Sequence, residues 1–424
     1  MGTIRFVTAT SLFDGHDASI NIMRRILQQE GAEVIHLGHN RSVKEIVCTA
    51  IQEGVQGIAV SSYQGGHMEF FKYMKDLLDE NGVGHIKIFG GGGGVIVPEE
   101  ITELEAYGIE KIYSPEDGQR LGLAGIILDM LEKARSVEHP PLPESWKESI
   151  ANHNSFVVTQ LISIAERDYI DKKDVYTTIG KEIVSMSRNT PVIGITGTGG
   201  SGKSSLEDEF IRRFLHHYPD KKLALLAIDP TRKKTGGALL GDRIRMNFID
   251  PDRVFMRSLA TRDSKNELTI SIRDSIAILR ASNYDLIIVE TPGIGQGDIT
   301  ITEFCDFSVY VMTSEYGAPS QLEKIDMLDY ADMVVLNKFD HKNSMDSLRD
   351  IRKQYCRNHN LFNVPDEKLP VIATVASNFN DPGLNVFFER LLSLLKEKGL
   401  LDIEIPSIET YSIKDQSRSA IIPT

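Results

Sequence analysis

Cysteine is scarce: Cys48, Cys305 and Cys356 are the three in 424 residues. They lie far apart and none belongs to a metal-type pair. The sequence therefore offers neither a disulfide framework nor a cysteine-held metal, and buried thiols in a reducing compartment are expected. Basic charge is also in deficit. With 60 acidic residues against 47 Lys and Arg, the formal net charge is −13, and the basic stripe that nonspecific nucleic-acid binding needs is missing. No apolar run reaches the roughly 18 residues that a membrane-spanning helix takes. The opening MGTIRFVTATS reads as a strand and lacks the charged-then-apolar order of a secretory signal. A cytoplasmic protein without nucleic-acid or membrane partners is the expectation. No internal repeat or low-complexity tract stands out.

Two or more domains are expected at this length. The first part of the chain alternates short apolar runs with helical stretches. IRFVTAT (Ile4–Thr10) is followed by a helix carrying Ile20, Met23, Ile26 and Leu27 on one face. AEVIHLG, a helix around Val43–Ile51, GIAVSSY, a helix around Met68–Leu78, IKIFGG, IEKIYS and a helix Gln119–Leu131 complete it. This pattern predicts an α/β fold, a doubly wound parallel sheet of flavodoxin type. His139-Pro-Pro-Leu-Pro143 marks a boundary, because proline fixes φ and cannot continue a helix. The first domain is placed at residues 1–138 and a linker with a helical connector at 139–190. A second α/β domain at 191–402 opens on the strand VIGIT, and 403–424 is read as a tail or linker.

Residues 197–204 read GTGGSGKS, a complete G-x-x-x-x-G-K-[ST] between an apolar strand and a helical stretch. Gly197, Gly199, Gly200 and Gly202 let backbone N–H groups turn inward around phosphate oxygens, with Ser201 and Ser205 in the same wall. The helix that follows aims its N-terminus at the phosphates. Lys203 neutralises phosphate charge and Ser204 supplies a hydroxyl to Mg²⁺.

Asn337-Lys338-Phe339-Asp340 follows the strand MVVLN. A carboxylate at Asp340 can accept two hydrogen bonds from guanine, a pattern adenine does not offer. Lys338 can lie along the base plane and Asn337 can brace the loop. Thr374-Val375-Ala376-Ser377 is a candidate for contacting the guanine carbonyl through backbone N–H, with Ala376 the chosen residue. Asp229, Asp242, Glu290 and Thr291 are the candidate oxygen ligands of Mg²⁺ beside Ser204, and Arg245 is a candidate phosphate contact. The glycine-rich stretches Gly236–Gly241 and Gly293–Gly297 look like switches that rearrange when the γ-phosphate leaves. A domain that binds guanine nucleotide and magnesium and hydrolyses GTP is expected, with Lys203 and Glu290 as its catalytic groups.

The run AIDPTRKKTGGALLGDRIRM, with ETPGIGQGD and NKFD, resembles the MeaB family of G-protein chaperones, P-loop GTPases of the SIMIBI class. The resemblance covers nearly all of the second domain and the connector. It implies a GTPase that gates cofactor loading, removes damaged cofactor or protects an adenosylcobalamin-dependent acyl-CoA mutase. It also implies a homodimer, and an acidic residue at the place of Glu290.

Asp14-Gly15-His16-Asp17-Ala18-Ser19 resembles the D-x-H-x-x-G motif of base-off cobalamin-binding domains, with Ser19 in place of the glycine. The resemblance implies that His16 replaces the cofactor's own base as a cobalt ligand. Asp14 would fix the imidazole's tautomer and raise its basicity. Ser61-Ser62-Tyr63 is similar to the family's S-x-L. Gly90, Gly91 and Gly92, within the run Gly90–Gly94, would open a slot for the cofactor's tail. His36, His39, His67 and His85 are expected to be surface or supporting groups.

Together the two parts resemble the N-terminal portion of the fused isobutyryl-CoA mutase family, whose third part is an acyl-CoA-binding (β/α)₈ barrel. The resemblance implies adenosylcobalamin and Mg²⁺ as cofactors, GTP as substrate, and a barrel domain or subunit as partner. Mutase activity by this chain alone is not expected. Either a piece of a longer chain or a separate subunit fits the end at Thr424. Two rivals stay open: a cobalamin-sensing regulatory GTPase with no mutase partner, and a GTPase whose first domain binds flavin.

Overall fold

The computed structural model describes residues 3–171, 175–231, 235–240, 242–261, 265–292 and 300–407, with side chains left out at 168–171, 175, 242, 265–270 and 300. Its strands are β1 (Arg5–Ser11), β2 (Glu33–Arg41), β3 (Gly57–Ser61), β4 (Lys87–Gly91), β5 (Lys111–Tyr113), β6 (Val192–Gly197), β7 (Leu223–Asp229), β8 (Ala238–Leu240), β9 (Val254–Ala260), β10 (Leu286–Glu290), β11 (Phe307–Met312), β12 (Met333–Leu336) and β13 (Val371–Ala373). The helices are α1 (Ala18–Gln29), α2 (Val43–Glu53), α3 (His67–Glu80), α4 (Pro98–Tyr107), α5 (Pro115–Arg135), α6 (Trp146–Ala151), α7 (Ser155–Asp171), α8 (Val175–Met186), α9 (Lys203–His217), α10 (Lys265–Ala281), α11 (Pro319–Leu322), α12 (Met327–Tyr330), α13 (Ser344–Asn358) and α14 (Pro382–Glu397).

Two compact units result. The first is Met1–Ser187 with Asp229–Ile244 and Phe255–Asn283; the second is Arg188–Ile228 with Arg245–Val254 and Tyr284–Thr424.

In the first unit a parallel sheet runs in the order β5-β4-β3-β1-β2-β8. β1 is buried along its whole length, which a sheet covered on both faces requires. Phe71, Met74 and Leu78 of α3 pack with Val7, Ile58 and Ile88 on one face. Ile127, Met130 and Leu131 of α5 pack with Phe6, Val34 and Phe89 on the other. Ser42 starts α2 with a capping box: its hydroxyl accepts from the Glu45 N–H while its own N–H donates to the Glu45 carboxylate at 2.9 Å.

Two elements of this unit differ from the sequence expectation. α4 was not anticipated: in PEEITELEAY only Leu104 is buried, so the helix lacks an apolar stripe and is held by Pro98 at its first turn and by Glu99 and Glu100 against its dipole. Within Gly236–Gly241, expected to be a switch-like glycine-rich stretch, Ala238–Leu240 pairs in parallel with Glu33–Ile35 as the edge strand β8. Gly237 lets this strand approach, since a Cβ there would stand 2.2 Å from the Gln28 carbonyl oxygen.

The second unit has a parallel run β13-β12-β11-β6-β10-β7. β6 lies near its middle and is fully buried. The change of winding direction beside β6 opens the crevice at the strands' carboxyl ends that α/β sheets use for ligands. Phe210 and Phe214 of α9 are buried, Phe210 with its ring centroid 5.4 Å from that of Phe388 on α14.

Candidate functional site

In the first unit the chemistry gathers past the end of β1. Asp14 is buried, and its Oδ1 accepts from the His16 N–H at 2.9 Å and lies 2.8 Å from His16 Nδ1. Its Oδ2 accepts from the Tyr63 N–H at 2.6 Å. Burial alone would raise this carboxyl, but the Tyr63 and His16 hydrogen bonds outweigh it and hold Asp14 below the usual aspartate range. His16 itself is 76% exposed. With Nδ1 turned to Asp14, Nε2 is the nitrogen presented outward, the arrangement a metal-binding imidazole takes.

Beside this loop lies a cleft of about 260 Å³ lined by Ser19, Ser61, Tyr63, Gly91, Gly92 and Tyr113 among others. Ser19, which stands where the motif has glycine, places its hydroxyl 3.1 Å from that of Ser61. The glycine run is required for two different reasons. A Cβ on Gly90 would come within 2.6 Å of Phe71 and Ile112 side-chain atoms, and one on Gly92 within 2.3 Å of the Ser62 carbonyl oxygen. Those glycines serve packing under the cleft, whereas a Cβ on Gly91 meets nothing nearer than 3.6 Å. Gly90, Gly91 and Gly92 all line the cleft, and of the three Gly91 is the one where a Cβ would have room.

Two of the other histidines are interior. His36 and His67 are buried. His36 Nδ1 lies 2.9 Å from Thr8 Oγ1, and burial, with Arg24 nearby, pushes its pKa down to about 4. His67 Nε2 lies 2.9 Å from Glu100 Oε2. Sequence reasoning missed Phe13, which is 84% exposed and sits at φ 63° with its N–H bound to Asn40 Oδ1. A bulky residue rarely takes that backbone region.

In the second unit β6 delivers Gly197 into the phosphate loop and α9 begins at Lys203. A Cβ on Gly197 would stand 1.9 Å from the Val311 carbonyl oxygen. Gly202 has φ +89°, and a Cβ there would stand 2.4 Å from Asn337 Nδ2. Lys203 is buried, with Nζ 3.3 Å from the Gly197 carbonyl oxygen and 3.5 Å from that of Thr198. The hydroxyls of Thr198 and Ser201 are buried without a protein partner among the described residues. Such orphans fit a loop built to receive phosphate oxygens. Gly199 and Gly200 are exposed, and Ser205 is half-buried in the first turn of α9.

Ser204 Oγ donates to Glu290 Oε1 at 3.5 Å, and Glu290 Oε2 has no partner among the described residues. Burial raises the Glu290 carboxyl, against the pull of Glu207, which faces it, and then of Lys203, Arg245 and Ser204. An orphaned, buried carboxylate oxygen next to a hydroxyl suits a hard cation that keeps waters. Thr291 follows directly and is buried. Asp229 ends β7 and is buried. Asp242 opens a 3₁₀ turn, Asp242–Arg245, but its side chain and the stretch 293–299 lie outside the described residues. Among those residues no group of three or more His, Cys, Asp or Glu forms a metal cluster.

Asn337 ties the base loops to the phosphate loop. Its Nδ2 donates to the Ser201 carbonyl at 2.8 Å, while its Oδ1 accepts from Thr374 Oγ1 and from the Ala376 N–H, each at 3.0 Å. The Ala376 N–H is thus engaged by Asn337, which corrects its expected role as the group facing a guanine carbonyl. Lys338 holds φ 55°, a strained turn that leaves Asp340 exposed at the loop tip.

A family model described as "Methylmalonyl Co-A mutase-associated GTPase MeaB" matches residues 158–398. The chain belongs to the MeaB family. A "B12 binding domain" model matches residues 4–116, ahead of the MeaB part. Among curated relatives, "Fused isobutyryl-CoA mutase" of Geobacillus kaustophilus is 58% identical over 93% of this chain and 37% of its own length. The same-named proteins of Cupriavidus metallidurans and Nocardia farcinica are 54% identical over 94% of this chain and 50% over 99%. The chain spans 36% and 39% of those two relatives. This MeaB member is therefore a B12-binding domain joined to a P-loop GTPase domain, matching one portion of a longer mutase. No described helix is long and apolar enough to cross a membrane.

Proposed function

We propose that this chain binds adenosylcobalamin in residues 1–138 and hydrolyses GTP in residues 191–402, serving as the cofactor-gating portion of an isobutyryl-CoA mutase. The observation that carries it is the exposed His16 imidazole held by buried Asp14, in a chain that also bears a complete phosphate loop. His16 would hold cobalt through Nε2, with Asp14 fixing the tautomer, while Ser61, Ser19 and Gly91 line the cleft for the cofactor's tail. Bound adenosylcobalamin would supply the radical chemistry, and the protein binding and orientation.

In the second domain, the loop N–H groups and Lys203 would grip the phosphates and stabilise charge as the γ-phosphoryl leaves. Ser204 and Glu290, with Asp229, Asp242 and Thr291 as further candidates, would hold Mg²⁺ or its waters. Asp340 would select guanine. A mutase as partner and isobutyryl-CoA as its substrate follow from what the relatives are named; a barrel as that partner and a homodimer are carried over from the family resemblance, and a cytoplasmic location from the composition.

The test is the ultraviolet–visible spectrum of the full chain with adenosylcobalamin, for wild type and His16→Ala. A base-off, histidine-ligated spectrum that the variant loses is expected. Absence of binding by the wild type would overturn the cobalamin assignment. The chain alone is expected not to isomerise isobutyryl-CoA; turnover without a barrel would refute its role as a portion.

A further inference from the structure

Glu207 lies on α9 four residues after Lys203, hence on the same helix face. It is 0% exposed, and its carboxyl faces that of Glu290 closely enough to interact, while no N–H or hydroxyl donor among the described residues reaches either of its oxygens. Other buried charged residues on this helix are engaged: Asp208 accepts from the Asn247 and Phe248 N–H groups, and Arg213 pairs with Glu209. A carboxyl in such a place is rarely left unsatisfied unless something arrives to bind it. Its surroundings indicate what. Burial, and then the charge of Glu290, raise Glu207 well above the carboxylate range, while Lys203 and Arg245 act the other way. Glu207 therefore shares its environment with the groups placed around the phosphates. Glu290 offers an orphaned oxygen there, and Ser204 Oγ stands 3.5 Å from its other one.

We propose that Glu207 is a further ligand-shell residue for the divalent cation that accompanies the guanine nucleotide, accepting from a cation-bound water or coordinating directly beside Ser204 and Glu290. The inference rests on the nucleotide reading above and adds to it one carboxylate from α9. Hard divalent cations take oxygen donors and retain waters, so a buried acid just behind the first donors strengthens the site without closing it. Nothing in the G-x-x-x-x-G-K-[ST] pattern points to this position.

Mn²⁺ binding to the full chain in the presence of GDP, read from the free-Mn²⁺ electron paramagnetic resonance signal, tests it. Glu207→Gln keeps an oxygen and Glu207→Met fills the same volume without one, so a fold defect common to any change at this helix position is distinguishable. Both are expected to loosen Mn²⁺ by about 10-fold or more, the Met variant at least as much as Gln. GDP affinity measured in EDTA should stay at the wild-type value in both. Unchanged Mn²⁺ affinity in Glu207→Met, with GDP still bound, overturns the inference alone. Failure of the wild type to bind GDP overturns the nucleotide reading and takes this inference with it.

Discussion

Arg243 and Glu53 meet in the interior of the first unit, Nη1 to Oε1 at 3.3 Å, although 190 residues separate them in sequence. Arg243 also donates to Gln52 Oε1 at 2.6 Å and to the Met256 carbonyl at 3.1 Å. Glu53 accepts from the Ser258 N–H and hydroxyl at 2.9 and 3.1 Å. A second buried set lies alongside: Arg5 pairs with Glu33 and Glu166, and Arg257 with Glu166 at 2.6 Å. These ion pairs fasten the segments 229–244 and 255–283 to the five-stranded part of the sheet, where β8 is already paired with β2.

Removing one partner strands the other charge in a buried place. Arg243→Ala is therefore expected to lower unfolding free energy by about 3–5 kcal/mol, measured by urea denaturation. Replacing both, as Glu53→Gln with Arg243→Met, should cost less than the sum of the single changes. Additive losses would show that the two side chains do not act as a pair.

Acid sensitivity follows from two histidines, the buried His36 and the more exposed His139. His36 and His139 are each pushed down to about 4, His36 by burial and then Arg24, His139 by burial and then Arg167. Unfolded, both would titrate near 6.5. Between about pH 6.5 and 4 the unfolded chain thus binds protons that the folded chain refuses, and stability falls as pH falls through that window. The double variant His36→Gln, His139→Gln should show a shallower decline of the urea midpoint from pH 7 to 4.5. Equal slopes would remove these groups from the account.

Asp14 works in the opposite direction. Its carboxyl is held below the usual aspartate range, so the stability it contributes is present above the unfolded value of about 3.9 and is lost as pH falls through the lower folded one. At neutral pH the Asp14–His16 contact is intact. Asp14→Asn should weaken cobalamin binding by roughly 10-fold or more, read by spectral titration at pH 7. Binding as tight as wild type would leave Asp14 with a purely structural role.

Much of this was legible in the sequence because the signals are local. A parallel strand buried on both faces is a continuous apolar run, and the phosphate loop, NKFD and D-x-H are short motifs whose spacing is the chemistry. What escaped was non-local or masked by composition. The three residues of β8 carry no mark of the partner strand, which lies some 200 positions earlier and is found only by folding. Glu207 reads as one more acid on a helix whose neighbours Asp208 and Glu209 are also acidic. What singles it out, complete burial without the N–H donors that satisfy buried Asp208, comes from packing. Ala376 was assigned by position in its loop, and only the coordinates show its N–H turned to Asn337.

Gly202 is where backbone conformation and base-loop bracing meet. Alanine there would hold a non-glycine residue at φ +89° and drive Cβ to 2.4 Å from Asn337 Nδ2. The amide must move, and its 2.8 Å bond to the Ser201 carbonyl goes with it. Gly202→Ala is expected to destabilise the second unit by about 1–3 kcal/mol and to weaken fluorescent GDP binding. An unchanged affinity would mean that the Asn337 brace is dispensable.

The choice of base rests on Asp340. Its carboxylate, exposed at the tip beyond the strained Lys338 turn, can accept from both guanine N1–H and the exocyclic amine. Asn337 holds the loop to the phosphate site, so the acceptor's position is fixed relative to the phosphates. Asparagine at 340 would present one acceptor and one NH₂ donor. Guanine then loses a charge-assisted bond and faces donor against donor, whereas xanthine, with a carbonyl at that carbon, is matched. Hydrogen bonds to charged groups contribute about 1.5–3 kcal/mol, so GTP affinity in Asp340→Asn should fall by roughly 10- to 100-fold while xanthosine triphosphate affinity rises. Competition of the two nucleotides against fluorescent GDP measures both. Loss of GTP binding without a gain for xanthosine triphosphate would point to collapse of the loop, and retention of guanine preference would move base recognition away from Asp340.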